Sequence, residues 1–251
     1  MNDKTDKATP ITSHRISDDN LAENRVTTAN DLIQASYSLT LNEQRLVLSA
    51  ISKINSRTAN HSPLKIKVTA MEFGETFGIN AKHAYTELKE AANSLFDREL
   101  RPANAKGKTR MRWVSTYVDY HVGEGWAELT FNSDIVPFLT LIKEKFTSYQ
   151  LGRAASLRRP TTIRLFQLLM QFERTGFFTI ELERFIKILE LPYERFADVR
   201  RWIIEPAIAE LKLKSNLDII WKPVKEGRAV KHIEFYFRES PQRELELDNT
   251  I

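Results

Sequence analysis

Three arginines crowd the front of the stretch RFADVRRWIIEPAIAEL at residues 195–211, namely Arg195, Arg200 and Arg201. A guanidinium group is a rigid fork of N–H donors that can pair with O6 and N7 of a guanine, so these side chains could read base edges in a DNA major groove. The alternative is that one of them is held by Asp198 or Glu205 within the same helix.

The apolar residues of this stretch recur at helical spacing, which predicts a helix that presents the arginines. A helical wheel places Val199, Trp202, Ile203 and Pro206 on one side, with Arg201, Asp198 and Glu205 roughly opposite. A proline costs about 3 kcal/mol inside a regular helix, so we expect a kink or a new helix start near Glu205. Beyond it, Ile204, Ile208 and Leu211 form a rotated apolar stripe.

The sequence favours no catalytic, metal or cofactor site. The chain has no cysteine, its five histidines are isolated along the sequence, and G-x-x-x-x-G-K-[ST], G-x-S-x-G and H-E-x-x-H are all absent. We therefore expect a protein that is not an enzyme and needs no metal or cofactor.

Length and composition limit the number of domains and the cellular compartment. The chain has 251 residues, of which 42% are hydrophobic and 28% charged, enough for one large domain or two ordinary ones. It has neither a membrane-spanning apolar run nor a secretory signal, and the lack of cysteine fits a reducing cytoplasm. Residues 1–30 are expected to be a disordered tail, and residues 241–251 an acidic one.

The net charge of +4 does not distinguish nucleic-acid-binding proteins from others, but the basic residues are unevenly distributed along the chain. Residues 98–121 carry six Lys or Arg against Glu99 and Asp119, and residues 142–174 carry seven against Glu144 and Glu173. Solvated surface and nucleic-acid contact are both open interpretations of such runs.

An internal repeat organises these features. The segments KIKVTAMEFGETFGI (65–79) and FFTIELERFIKILEL (177–191) align without a gap, so that Val68 matches Ile180 and Phe73 matches Phe185. Upstream, the Arg-Leu pair at 45–46 matches the pair at 164–165. The pattern indicates a tandem duplication.

Each repeat predicts the same order of elements: helix, strand, helix, turn, helix and β-hairpin. In the first repeat, Thr69 and Glu72 predict a capping box and Gly78 a turn. This order is typical of a winged helix, whose third helix can enter a major groove while the hairpin lies against the backbone. The predicted fold class is α+β, with two tandem winged-helix (helix-turn-helix plus β-hairpin) domains related by internal duplication, at 31–150 and 151–240.

The chain resembles the plasmid replication initiators of the F-plasmid type from about Asp31 to Glu239. The resemblance depends on A-S-Y-S-L-x(5)-R-L from Ala35, F-T-S-Y-Q-L from Phe146 and, most distinctively, V-R-R-x-I-I-E-P-A-I-x-E-L at 199–211. It implies monomers that bind repeated double-stranded origin elements, the iterons, and dimers that repress the initiator's own gene from an inverted repeat. It also implies recruitment of the host initiator and the replicative helicase.

The predicted DNA-binding residues fall into five groups. The second recognition helix contributes Arg195, Arg200 and Arg201, and the second wing contributes Lys225 and Arg228. The first recognition helix offers Lys82 and His83, but Glu87 and Glu90 share their face, so the first domain is expected to contact phosphates or to dimerise. Its hairpin region offers Lys106, Lys108 and Arg110, and the junction GRAASLRR offers Arg158 and Arg159, with Arg153 beside them.

Two rival functions fit the same fold. One is a tandem winged-helix transcriptional regulator with no replication role, and the other is a protein-protein scaffold in which the arginines are incidental. A DNA-binding protein releases counterions and is therefore salt-sensitive, which separates it from a scaffold.

Overall fold

The folded chain begins earlier than the sequence suggested. The computed structural model describes residues 20–57, 63–103, 109–120 and 125–240. A 3-10 turn, Leu21–Glu23, leads into β1 (Arg25–Ala29) and α1 (Asn30–Ile33). β1 pairs antiparallel with a strand at Phe146–Gln150. The predicted tail is therefore wrong for residues 20–30, because a distant partner strand orders a segment that looks polar locally. The rest of that tail, and the acidic tail at 241–251, lie outside the described residues.

The first domain follows the predicted order of elements. Its elements are α2 (Leu41–Ser52), β2 (Lys65–Thr69), α3 (Ala70–Phe77), α4 (Ala81–Leu95), β3 (Glu99–Leu100), β4 (Met111–Arg112), β5 (Val114–Tyr120) and β6 (Trp126–Phe131). The capping box of Thr69 and Glu72 starts α3 as predicted, and Gly78 ends it with a left-handed φ of 62°. β3 and β4 form a separate two-stranded ribbon between α4 and the wing.

A connecting region leads to the second domain. It contains a 3-10 turn at Val136–Phe138, β7 (Phe146–Gln150), which pairs with β1, and the short helix α5 (Gly152–Ala155). The second domain consists of α6 (Pro160–Met170), β8 (Phe177–Glu181), α7 (Leu182–Ile188), α8 (Phe196–Val199), a π-helical turn (Arg200–Ile204), α9 (Glu205–Lys214), β9 (Leu217–Glu226) and β10 (Ala229–Glu239).

The two domains share one sheet topology. The first has strand order β2-β6-β5 and the second β8-β10-β9, so in each case the last strand of the hairpin lies in the middle and pairs with the early strand. β2 and β8 also occupy matching positions in the aligned repeat. The prediction of two tandem winged-helix domains is confirmed.

A continuous hydrophobic core runs through both domains. At their junction Arg164 of α6 is buried and donates through Nη2 to the carbonyl oxygens of Ile33 at 3.0 Å and Ala35 at 2.9 Å. Its Nη1 donates to the Tyr37 hydroxyl, and the guanidinium lies 3.7 Å from the centre of the Tyr37 ring. Burial lowers the pKa of Arg164 and raises that of Tyr37. Because these bonds join α6 to the chain before α2, they fix the placement of one domain against the other.

The helix that bears the arginine cluster is continuous but changes its winding. α8, the π turn and α9 follow without a gap, and the Glu205 N–H donates to the Arg200 carbonyl five residues back. Pro206 follows the π turn as the second residue of α9. A kink or a new helix start was expected near Glu205; the backbone instead stays helical through Ile204 and Glu205, and the π turn is the irregularity that accommodates the proline.

This π turn also changes which side chains face the core. Val199 is buried before the turn, Ile203 and Ile204 are buried within it, and Ile208 and Leu211 are buried after it. Trp202 was expected on the apolar side and is instead 52% exposed, so that expectation is wrong. A wheel of constant pitch misplaces it because the π turn shifts the helical phase.

Candidate nucleic-acid interface

Two exposed arginines without an ion pair, Arg195 and Arg201, lie at the start of the second recognition helix, residues 196–214. Arg195 directly precedes α8, and its side chain makes no capping hydrogen bond. The Arg201 guanidinium lies 4.8 Å from the centre of the Trp202 ring. Within the described residues neither arginine has a carboxylate oxygen within 4.0 Å. Both can therefore meet an external anion or a base edge without first breaking an ion pair.

Arg200 behaves differently. Its Nε lies 2.7 Å from Oε1 of Glu205, so the alternative of a clamp within the helix holds for this residue. Both side chains remain about half exposed, at 57% and 44%. An ion pair this exposed is worth at most about 1 kcal/mol, so Arg200 can exchange it for a DNA contact at small cost.

The second wing projects from the domain as a long hairpin. β9 and β10 pair from Leu217 with Glu239 to Glu226 with Ala229, and Gly227 forms the turn with a φ of 62°. A Cβ at Gly227 would meet nothing within 4 Å, so the tip is open. Lys225 and Arg228 are exposed there, and no carboxylate of the described chain pairs with them. The tip of the wing thus presents two cations that no described carboxylate pairs with.

The first recognition helix, α4, presents a weaker cationic face. Lys82 and His83 are exposed in its first turn, next to the Asn80 cap. Glu87 accepts a hydrogen bond of 3.0 Å from the Asn42 amide, which draws its carboxylate toward α2. Lys89 is paired with Asp119 at 3.0 Å, and this bond raises the pKa of Lys89. Among the basic side chains of α4, those of the first turn are therefore the ones without an acidic partner in the described chain.

Most of the basic side chains that follow α4 contact other side chains of the same protein. The contacts are Arg98 with Glu43 at 2.9 Å, Arg101 with Glu190 at 2.5 Å, Arg110 with Glu99 at 3.4 Å, and Arg112 over the Phe96 ring at 5.5 Å. Arg110, predicted in the hairpin region, directly precedes β4 of the β3–β4 ribbon. Lys106 and Lys108 lie outside the described residues.

Arg158 and Arg159 at the domain junction are both exposed, but they differ in their contacts with the protein. The Arg158 backbone N–H donates to Oε1 of Glu210 at 2.7 Å, and its Nη1 donates to the Phe77 carbonyl at 3.1 Å. Arg158 therefore ties α9 to α3, while the residue stays exposed and makes no ion pair within the described chain. Arg159 is 57% exposed and lies 3.9 Å from Glu210, which leaves it available.

The acidic partner at this junction is Glu210. Its side chain is 5% exposed. Burial would raise its pKa, but the bonds from the Arg158 backbone and from Lys214 together lower it. Arg153 is likewise engaged, since it pairs with Glu173 and, at 3.2 Å, with Glu239. The junction is thus a structural network with Arg159 at its edge.

Two features are absent from the described residues. No group of three or more His, Asp or Glu side chains could hold a metal ion there. No helix in that part of the chain is long and apolar enough to cross a membrane.

Comparison with known protein families identifies the domains. The family model for the first winged-helix domain of initiator replication proteins matches residues 25–170, and the model for the second matches residues 181–237. The chain belongs to the initiator replication protein family. This confirms the resemblance to plasmid replication initiators.

Two curated relatives and one solved structure span both domains. An Escherichia coli replication initiation protein is 26% identical over 234 residues, which cover 88% of this chain and 72% of the relative. The Escherichia coli PI protein is 24% identical, covering 83% and 80% of the two chains. The Pi initiator protein, solved in complex with iteron DNA, superposes with a TM-score of 0.74 at 20% identity over 88% of this chain and 99% of that one. The tandem arrangement is therefore shared along nearly the whole folded chain.

The family models divide the chain later than the repeat does. The first model extends through α6, whereas the repeat makes α6 the equivalent of α2. α6 packs against α9 of the second domain. We therefore keep residues 150–151 as the proposed boundary.

Proposed function

We propose that the protein initiates plasmid replication by binding repeated double-stranded DNA elements, the iterons, at the plasmid origin. The observation that carries this proposal is the pair of winged helices on one continuous core, the second of which exposes cations that no described carboxylate neutralises. Family membership and the shared fold of a protein solved with iteron DNA support it. No cofactor or catalytic group is required for this role, and we propose a plasmid-associated location in the cytoplasm.

The two domains divide the work on one DNA site. We assign sequence reading mainly to the second recognition helix, through Arg195, Arg201 and Arg200 once it leaves Glu205, with Lys225 and Arg228 of the wing on the backbone. In the first domain, Lys82 and His83 contact phosphates. Arg159, together with Lys106 and Lys108, would add to the phosphate contacts. The bonds of Arg164 across the junction support a fixed spacing between the two helices.

We also propose that the protein exists as a dimer in equilibrium with the monomer, and that the dimer represses its own gene from an operator inverted repeat. The support is that β5 ends its sheet with no further strand paired to it among the described residues and exposes Val118. An unpaired strand edge is a common place for two copies to meet. The host initiator and the replicative helicase are the further partners that this role requires.

Footprinting of the full chain on its plasmid tests the proposal. Protection of several direct repeats at the origin is the expected result. Protection of a single inverted repeat alone would favour the transcriptional regulator. Binding to neither, or binding that does not weaken with salt, would favour the scaffold.

A further inference from the structure

Trp202 is the largest apolar side chain that the second recognition helix leaves in solvent. It lies on the π turn and is 52% exposed, although its neighbours Ile203 and Ile204 are buried at 8% and 0%. π-helical turns are uncommon and occur often at functional sites. Here the turn lets two successive isoleucines reach the core while it turns the indole outward.

The indole is paired with an arginine whose charge is not otherwise matched in the described residues. The Arg201 guanidinium carbon lies 4.8 Å from the ring centre, so one cationic donor fork and one flat apolar surface lie side by side. Successive bases along a strand are roughly 3.4 Å apart, so both groups can reach the same base step. Both residues lie in the first two turns of the helix, the part of a recognition helix that usually contacts base edges.

The apolar feature that a major groove offers is the 5-methyl group of thymine. We propose that Trp202 contacts a thymine methyl group in the DNA site while Arg201 pairs with an adjacent guanine, so that the two side chains together read a guanine-thymine step. The inference rests on the proposed DNA-binding function and adds the chemistry of one reading position to it.

The test replaces thymine by deoxyuridine, which removes only the methyl group. The probe is a duplex selected from a random pool by the full chain, which requires no knowledge of the origin. Each thymine of the selected site is replaced singly, and the Kd is measured for the wild type and for Trp202→Ala. For the wild type, one position is expected to lose about fourfold in affinity, the size of one buried methyl group. For Trp202→Ala, the thymine site is expected to be weaker and the uracil replacement at that position to have no further effect.

Two further variants serve as controls. Leu213→Ala removes another exposed apolar side chain from the same helix, 74% exposed in α9, and should leave both affinities and the uracil effect unchanged. Trp202→Phe keeps an aromatic surface and should keep sensitivity to the methyl group. Thermal unfolding of each variant reports whether the fold is intact.

The proposal is overturned if Trp202→Ala binds the thymine duplex as tightly as the wild type, or if it remains as sensitive to uracil at the same position. A chain that selects no duplex at all would instead contradict the proposed DNA-binding function.

Discussion

The first and second winged-helix domains have the same sheet order, yet they use their cations in different ways. In the first, Lys89, Arg98 and Arg110 each lie within 4.0 Å of a carboxylate oxygen. In the second, Arg201 and Arg228 have no such partner among the described residues. A basic run in a sequence thus marks an unpaired surface only where the fold brings no acidic side chain to it, although an exposed pair such as Arg110 with Glu99 can be exchanged for a DNA contact at small cost, as can that of Arg200 with Glu205. The proposed division into a reading domain and a supporting domain depends on the unpaired arginines of the second recognition helix and its wing.

The duplicated Arg-Leu pairs show the same divergence inside the core. Arg45 and Arg164 are both 3% exposed. Arg45 makes one hydrogen bond, of 3.1 Å to Asn42, while its Nε and Nη2 have no partner. Burial and the neighbouring Arg158 lower the pKa of Arg45 to about 10. The equivalent position is therefore a packing residue in one domain and a link between domains in the other.

The largest effect is expected from Arg164→Met. It leaves the Ile33 and Ala35 carbonyls and the Tyr37 hydroxyl without their donor, at a cost of about 3–5 kcal/mol in the free energy of unfolding. Arg45→Met is the matched control and should cost about 1 kcal/mol, because it breaks one hydrogen bond. Urea denaturation of both variants measures the two values. Equal losses would mean that Arg164 does not link the domains.

The next largest effect is expected from Arg201, which has no ion pair, compared with Arg200, which is paired with Glu205. Arg201→Ala is expected to weaken binding to a specific site by about 1–3 kcal/mol and to affect random DNA much less. Arg200→Ala should lose less, because its guanidinium already has Glu205 as a partner. Arg238→Ala, at the far end of the hairpin from the turn, controls for loss of a positive charge. Equal losses for Arg201→Ala on specific and random duplexes would reassign Arg201 to phosphate.

A smaller effect is expected at the junction. Glu210→Gln removes the charge that accepts from Arg158 and Lys214 and should cost about 1 kcal/mol at neutral pH. Because the pKa of Glu210 is lowered from its ordinary value of 4.5, its contribution is present above that pH and is lost as the pH falls through the lowered value. The difference between variant and wild type in urea denaturation should therefore shrink in acid. A difference independent of pH would show that the carboxylate charge is not what stabilises the junction.

The smallest effect is expected from the second wing. Replacing Lys225 and Arg228 by Ala removes two phosphate contacts, so the slope of log K against log salt should fall by about 0.9 for each. Discrimination between specific and random DNA should change little, because backbone contacts carry no sequence information. A loss of discrimination without a change in slope would place these two residues on base edges.

The sequence was sufficient for features encoded by local pattern. The repeat register, the Thr69 capping box, the Gly78 turn and a helical irregularity at Pro206 each depend on neighbours a few residues away, and the structure has all of them, the last as a π turn and not as a break. The repeat also aligned β2 with β8, which fixed the shared topology. Such signals are short-range, so a single sequence contains them.

The sequence was insufficient where a distant residue or a change in helical pitch decides the outcome. β1 is ordered by β7, Arg158 by the Phe77 carbonyl, and Arg101 by Glu190 of the other domain. Trp202 was misplaced because a wheel assumes a constant number of residues per turn. The sequence contained one sign of this irregular turn, the rotated apolar stripe of Ile204, Ile208 and Leu211. Two apolar stripes of different helical phase require an irregular turn between them.

The central claim is that the two domains read one continuous DNA site as a linked pair. Successive major grooves on one face of a duplex are about 10 base pairs apart, and linkage makes the second contact intramolecular, worth about a hundredfold or more in affinity. The direct test inserts five base pairs between the two contacted half-elements, which turns the second groove to the far side. The account predicts that the affinity of the full chain falls about a hundredfold, to that for a duplex that retains only the second-domain element. Affinity that survives the insertion would contradict it.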